Sequence, residues 1–249
     1  MNYLSRCLLA FLVVFCGLVG TASAGTITLL GTDTINFHDD NAFINPFFNH
    51  LLAGAGTNKV LVLSTNGTST TINYNGSVAT FDFQNYGFLT SSRSLAGYEA
   101  VYVDSPVSCC SDPGTAMTGG SAGNLLSYIN SGGSLAVGDY AGNSYWDAIL
   151  GFTGGPGVEA GTLCYDPGMA TPLGIAAGFN ASYSNGCFGH QAYDPAFWGG
   201  KGFSALFTVQ DTPRFSVIEK SSSVPEPSSL ALIALGLAGV AAARRRKTV

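Results

Sequence analysis

The sequence predicts an α/β domain with three layers, in which a largely parallel sheet lies between helices and a glycine-rich loop region comes late in the chain. Apolar runs of strand length alternate with segments of helical periodicity, as in domains whose parallel sheet is covered on both faces. Hydrophobic residues make up 46% of the 249 residues and charged residues only 10%. This composition argues against a coiled coil, a basic nucleic-acid-binding domain and a charge-rich disordered chain.

The sequence of the first half of the domain predicts four strands and one helix. The strands are short apolar or alternating runs at 27–30, 59–64, 78–83 and 100–104. The helix is expected over 41–53, because its phenylalanines and leucines recur at helical spacing. Asp39, Asp40 or Asn41 is expected to cap its start, and Gly54 and Gly56 end it.

The sequence of the second half of the domain predicts a helix from about 121 to 130, a buried strand at 134–138 and a short helix at 145–150. Residues 151–200 are dense in glycine, proline and aromatic residues and are predicted to be loop. Two strands, at 204–209 and 214–219, complete a single domain that extends from residue 25 to residue 223.

Residues 1–24 have the three parts of a secretory signal peptide. Arg6 supplies the positive charge, residues 7–20 are apolar, and Ala22 and Ala24 provide the small residues that precede cleavage before Gly25. The 14 apolar residues would rise only about 21 Å as a helix, less than the ~30 Å of a bilayer core. We therefore expect export through the Sec translocon and removal by signal peptidase, rather than an uncleaved anchor.

The C-terminal segment 224–249 has an equally distinct order. Val224, Pro225, Glu226 and Pro227 are followed by an apolar run at 230–243 and then by four basic residues at 244–247. The prolines prevent a helix from continuing through the first part. The apolar run can enter a bilayer as a transmembrane helix, and the cations hold the end of the chain in the cytoplasm.

This arrangement closely resembles the PEP-CTERM sorting signal. The resemblance implies a Gram-negative bacterium, recognition by an exosortase in the inner membrane and cleavage near the Pro-Glu-Pro motif at Pro225–Pro227. It also implies transient residence in the inner membrane, then a location at the cell surface or outside the cell, with exopolysaccharide or biofilm as the setting. A plain C-terminal membrane anchor is the alternative, for which 14 apolar residues are short.

The region between the two terminal segments is acidic. It contains five lysines and arginines against 14 aspartates and glutamates, a net charge of −9. Because nucleic-acid phosphates require basic contacts, we expect no nucleic-acid partner.

Four cysteines remain after signal-peptide removal, namely Cys109, Cys110, Cys164 and Cys187. An even number outside the cytoplasm favours two disulfides, with three possible pairings. A bond between the neighbours Cys109 and Cys110 would close a strained ring. Crosswise bonds from that pair to Cys164 and Cys187 are therefore favoured.

A second resemblance covers residues 58–220 more loosely. The stretches 97–103, 125–130, 132–137 and 171–175 resemble the middle of class I glutamine-amidotransferase-like domains. This resemblance implies a flavodoxin-like or amidotransferase-like three-layer fold. It does not imply amidase chemistry, because no cysteine stands near Gly138, where the family carries its nucleophile.

Two acidic residues follow predicted parallel strands. Asp104 and Asp139 end strands at the edge where open α/β sheets bind ligands, and with His190 they form the candidate acid–base group. Aspartates at strand ends also serve as turn formers and helix caps, and that structural role is the alternative.

No metal site and no cofactor are predicted. The chain has no C-x-x-C motif, and His190 is the only histidine near the late cysteines. His38, Asp39 and Asp40 offer possible ligands, but three consecutive residues rarely converge on one ion, and helix capping is favoured for them.

The aromatic residues of segment 183–198 allow two interpretations. They either stack on sugar rings as a carbohydrate-binding surface or form a small core over the sheet edge, and the core is favoured. They are Tyr183, Phe188, Tyr193, Phe197 and Trp198.

Taken together, these patterns favour a non-enzymatic exported protein of the cell surface or extracellular matrix. Two alternatives stay open at this point. One is a hydrolase on the amidotransferase-like scaffold, using Asp104, Asp139 or His190, and the other is a carbohydrate-binding module.

Overall fold

The computed structural model describes residues 25–35, 38, 40–53, 57–64, 72–76, 79–90, 93–104, 120–138, 158–159, 164–209, 214–221 and 236. Several predictions of the preceding section lie outside these residues. They are the signal peptide, the sorting segment apart from Gly236, the helix at 145–150, Asp39, Gly54, Gly56, Asp139, Cys109 and Cys110. Residues 24–223 form one compact unit.

Five strands form the parallel half of the sheet. They are β1 (Thr26–Leu30), β2 (Lys59–Ser64), β3 (Thr80–Asn85), β4 (Ala100–Val103) and β5 (Ser134–Gly138). Their spatial order is β3-β2-β4-β5-β1, and each neighbouring pair is parallel. The strands predicted from apolar runs in this half are confirmed. Their carboxyl ends, including the ends of β1, β4 and β5, therefore lie along one edge of the sheet.

The other half of the sheet is antiparallel, so the prediction of a largely parallel sheet is wrong and the sheet is mixed. Its strands are β6 (Val158–Glu159), β7 (Gly168–Ala170), β8 (Ser182–Tyr183), β9 (Ala192–Tyr193), β10 (Ser204–Val209) and β11 (Phe215–Ser221). β11 pairs antiparallel with β1, and the path continues through β10, β7 and β8. Only a few residues join β10 to β11, a connection that permits an antiparallel hairpin but no parallel crossover.

The glycine-rich region predicted to be loop contains short elements in its described part. Besides four of the strands above, β6 to β9, it holds two short helices, α4 (Pro172–Ala176) and α5 (Pro195–Gly200). Each begins with a capping residue followed by proline: Thr171 accepts a hydrogen bond from Gly174 N, and Asp194 accepts one from Phe197 N. Proline fits the first helical position because the N–H it lacks would be unsatisfied there.

Helix α1 (Asn41–Leu51) covers one face of the sheet. Asp40 caps it by accepting a hydrogen bond from Ala42 N, which confirms the capping role predicted for this residue. Pro46 lies inside the helix and has no N–H for the carbonyl of Ala42, four residues earlier. The Tyr183 hydroxyl donates to Ala42 O at 2.7 Å instead, so strand β8 satisfies the group that the proline leaves open.

Two apolar clusters cover the two faces of the sheet. The phenylalanines of α1 pack with Phe179, Tyr183, Phe188 and Phe207 on one face. The opposite face packs against α2 (Gly87–Thr90), α3 (Gly120–Asn130) and α5. Helices therefore lie on both faces of the sheet, as the α/β prediction requires. Among the described helices, none combines the length and the hydropathy needed to cross a membrane.

Candidate metal centre

The candidate site begins where the chain leaves β1. Gly31 continues from this strand, and its N–H donates to Ser216 O of β11 at 2.8 Å. Its carbonyl accepts hydrogen bonds from the N–H groups of His190, at 2.8 Å, and Gln191, at 3.0 Å. These bonds fix the backbone at His190 beside the residues that follow β1, although about 160 residues separate them in the sequence.

Asp33 lies between two histidines. Its Oδ2 is 3.0 Å from His190 Nε2, and its Oδ1 is 3.3 Å from His38 Nε2. One ligand atom from each of the three residues lies within 4.8 Å of the other two. Asp33, His38 and His190 are called the Asp33 cluster below.

The burial of the Asp33 cluster is graded. The Asp33 side chain is 7% exposed, that of His190 is 14% exposed and that of His38 is 28% exposed. Asp33 Oδ1 is buried and accepts no hydrogen bond from any residue that the structure describes, despite its proximity to His38. A buried carboxylate oxygen without a donor is unfavourable, because it loses its hydration without replacement. The cluster thus has a buried anionic centre and one side open to solvent.

A hydrogen-bonded loop supports His190. Asp166 accepts from Ser184 Oγ at 2.5 Å and from the N–H groups of Asn185, at 3.2 Å, and Gly186, at 3.3 Å. Asn185 Nδ2 in turn donates to Thr34 Oγ1, next to Asp33, at 3.3 Å. The carboxylate of Asp166 therefore organises the chain segment that leads to His190.

A disulfide joins Cys164 to Cys187 in the same loop. The predicted crosswise bonds from Cys109 and Cys110 to these two cysteines are therefore wrong. The hydrogen bonds between Tyr165 and Gly189 hold the two short segments side by side, so the Cα atoms of Cys164 and Cys187 are 4.8 Å apart. Cys187 Sγ lies 3.8 Å from His190 Nδ1, which places the disulfide against the second ring nitrogen of that histidine.

Hydrogen bonding to Asp166 predicts a pH dependence of stability. Burial opposes its ionisation, but hydrogen bonds from Ser184 and from the N–H groups of Asn185, Gly186 and Phe188 outweigh burial and lower its pKa. When a carboxyl has a lower pKa in the folded than in the unfolded state, its ionisation stabilises the folded protein at pH values above the unfolded pKa. This stabilisation is lost as the pH falls through the folded pKa. We expect Asp166→Asn to lower the midpoint of urea denaturation at pH 6, and the difference from wild type to shrink as the pH falls below the unfolded pKa of about 3.9. A difference that stays constant as the pH falls would contradict this role of the carboxylate.

Of the predicted acid–base group, the structure describes Asp104 and His190. Asp104 follows β4, whereas the Asp33 cluster lies at the end of β1, and β5 runs between these two strands. The two strand ends are therefore separated by about 10 Å. Asp139 lies outside the described residues. The structure brings His190 to Asp33 and His38, which sequence analysis had not grouped with it.

The aromatic residues proposed as a sugar-binding surface are mostly buried. Trp198 is 2% exposed and Tyr193 is fully buried, and both belong to the core on the α3 face of the sheet. Tyr183 and Phe188 belong to the core on the α1 face. These four residues are core residues, but they belong to two cores on opposite faces of the sheet and not to the one small core over the sheet edge that the favoured interpretation predicted. The carbohydrate-binding alternative loses its surface, since stacking on a sugar requires exposed rings.

Asp33 is the functional candidate that sequence analysis missed. It stands five residues before His38 in a short polar segment after a strand, a position equally typical of a turn former. Its distant partner His190 lies beside it because the backbone N–H of His190 donates to the carbonyl of Gly31. A contact between residues so far apart in the chain leaves no pattern of nearby residues from which it could be predicted.

The comparisons with known proteins identify the C-terminal segment. Residues 223–247 match the PEP-CTERM protein-sorting motif, one residue longer at the start than the sequence analysis expected. No curated protein and no solved structure matches the chain. The resemblance to class I glutamine-amidotransferase-like domains therefore has no support, and no flavodoxin-like fold is identified. The sorting motif implies export through Sec, anchoring in the membrane, processing by exosortase and then a location at the surface.

Proposed function

We propose that the protein is a non-enzymatic component of the cell surface or extracellular matrix of a Gram-negative bacterium, associated with exopolysaccharide. The observation that carries this proposal is the PEP-CTERM motif at residues 223–247. In this proposal the domain 25–223 is the part that functions outside the cell, and the terminal segments serve its delivery.

Two properties of the domain support an exterior location. Its net charge of −9 favours a well-solvated surface and disfavours adsorption to anionic surfaces. The disulfide between Cys164 and Cys187 is of the kind that persists in oxidising compartments and is rare in the cytoplasm.

The proposal is tested by altering the sorting motif while leaving the apolar run and basic residues intact. We expect Pro225→Ala combined with Glu226→Ala to leave the full C-terminal segment attached and to retain the protein in the inner-membrane fraction. Wild type is expected in the surface and extracellular polysaccharide fractions with a shortened C-terminus. Quantitative immunoblotting of the fractions, with mass spectrometry of the C-terminal peptide, measures both properties.

The matched control is Ser228→Ala combined with Ser229→Ala, which changes two neighbouring residues outside the Pro-Glu-Pro motif. This control is expected to behave as wild type. Identical processing of the motif variant and wild type would overturn exosortase sorting. Processed wild type found only in the free medium, and absent from the polysaccharide fraction, would overturn the matrix association alone.

A further inference from the structure

We propose that Asp33, His38 and His190 form a binding site for one divalent transition-metal ion of the zinc type. The proposal rests on the chemistry of the three side chains, on their distances and on the unsatisfied carboxylate oxygen of Asp33. It concerns the exported domain alone and is independent of how the chain is sorted.

The donor set selects the class of ion. Two imidazole nitrogens and one carboxylate suit Zn²⁺ and its transition-metal neighbours. Ca²⁺ instead requires six to eight oxygen ligands, and Mg²⁺ prefers carboxylates and water in an octahedron. A site built on His38 and His190 therefore discriminates against the two abundant alkaline-earth cations.

The spacing of the donor atoms fits an ion bound between them. Ligands at about 2.0–2.2 Å from a tetrahedral ion lie about 3.3–3.6 Å from one another. The two distances from Asp33 to the histidines are 3.0 Å, from Oδ2 to His190 Nε2, and 3.3 Å, from Oδ1 to His38 Nε2. The three ligand atoms all lie within 4.8 Å of one another, so the separations are close to those of a tetrahedral site.

The Asp33 carboxylate gives evidence for a bound cation that is independent of the distances between the three side chains. Its side chain is 93% buried, because only 7% is exposed, yet within the described part of the chain Oδ1 accepts no hydrogen bond. In proteins, buried polar atoms are nearly always hydrogen-bonded, and an exception calls for an explanation such as a bound ion. A cation coordinated by this oxygen would neutralise the buried charge and replace the missing donor.

The surrounding residues hold the ligands in place and leave a path by which an ion can enter from solvent. His190 is fixed through its backbone to Gly31 and through its loop by the Cys164–Cys187 disulfide. His38 is the most exposed of the three, so an ion can enter from its side. Three protein ligands leave a fourth position for water, as in zinc sites that are open to solvent.

The test uses processed protein recovered after export, stripped of metal with EDTA and titrated with Zn²⁺ against a chromophoric chelator. Wild type is expected to bind one Zn²⁺ per chain with micromolar or tighter affinity. His38→Gln and Asp33→Asn are each expected to weaken that binding at least about 100-fold, because each removes one of three ligands. The visible spectrum of bound Co²⁺ is expected to show nitrogen and oxygen ligands and no sulfur.

The matched control is His50→Gln. His50 also pairs with a carboxylate, at 2.7 Å from Glu219 Oε2, but it lies on α1 and is not part of the Asp33 cluster. This variant is expected to bind Zn²⁺ as wild type does. His38→Gln is the ligand substitution expected to disturb folding least, because the His38 side chain is the most exposed of the cluster. Circular dichroism checks that each variant is folded.

Any of four results would overturn the proposal. The first three are the absence of saturable Zn²⁺ binding by wild type, a folded His38→Gln variant that binds as tightly as wild type, and a His50→Gln variant that loses as much affinity as His38→Gln. A Co²⁺ spectrum dominated by thiolate bands would likewise place the ion on cysteines and not on the Asp33 cluster.

Discussion

Phe43→Ala is expected to lower the free energy of unfolding of the processed protein by about 3–5 kcal/mol, as deletions of a buried phenylalanine do. Phe43 is fully buried on α1 and is central to the core on that face of the sheet. Its ring centroid lies 5.4–6.0 Å from those of five aromatic neighbours. The individual separations are 5.4 Å to Phe179, 5.4 Å to Tyr183, 5.7 Å to Phe188, 5.7 Å to Phe207 and 6.0 Å to Phe47.

The size of this effect follows from what Phe43 joins together. It connects α1 to the antiparallel half of the sheet, so its removal opens a cavity that rigid aromatic neighbours cannot easily fill. Leu126→Ala on α3 is the control, because Leu126 is 42% exposed. Urea denaturation is expected to show a change below about 1 kcal/mol for this control. A Phe43→Ala loss no larger than that of the control would contradict the packing described above.

Gly31→Ala is expected to cost about 2–4 kcal/mol of stability and to displace His190 from Asp33. A Cβ atom at position 31 would lie 2.6 Å from Gln191 O and 2.8 Å from Ser216 O, and both are backbone atoms. Neither oxygen can rotate away as a side-chain end would. The strands on either side must therefore separate, and the hydrogen bonds of Gly31 to Ser216 and His190 weaken with them.

Gly97→Ala is the matched control for this substitution. A Cβ at Gly97 would meet no atom of the described residues within 4 Å, and the φ of Gly97 lies outside the left-handed region. Its stability is expected to stay within about 0.5 kcal/mol of wild type. The melting temperatures of both variants, measured by calorimetry, distinguish them, and equal values would show that the backbone approach at Gly31 is not tight.

The parallel half of the fold could be predicted from the sequence because its signals are local. The runs at Lys59–Ser64 and Ser134–Gly138 are continuously apolar, as buried parallel strands are, and Asp40 stands where a helix cap belongs. In the antiparallel half, β10 and β11 were predicted as strands at 204–209 and 214–219, but the short strands were missed because their signals are weak. Strands β7, β8 and β9 have two or three residues each, too short for any periodicity to show.

The candidate site could be predicted only in fragments. His38 and His190 each stood out as potential ligands, but Asp33 did not, and nothing in the sequence joined the three residues. The pairing that joins them is between backbone groups of Gly31 and His190, which any residue type can make. The disulfide pairing could not be predicted for the same reason. Backbone hydrogen bonds between Tyr165 and Gly189 bring Cys164 close to Cys187, and these bonds do not depend on residue type.

The central claim is that both terminal segments are removed as the protein is exported and sorted. Intact-mass measurement of the protein recovered from the outside of the cells, with sequencing of its terminal peptides, tests this claim most directly. The account predicts a chain that begins at Gly25 and ends close to Pro225–Pro227, within the sorting motif matched at 223–247. A mature protein that still carries the apolar run 230–243 and the basic residues 244–247 would contradict it.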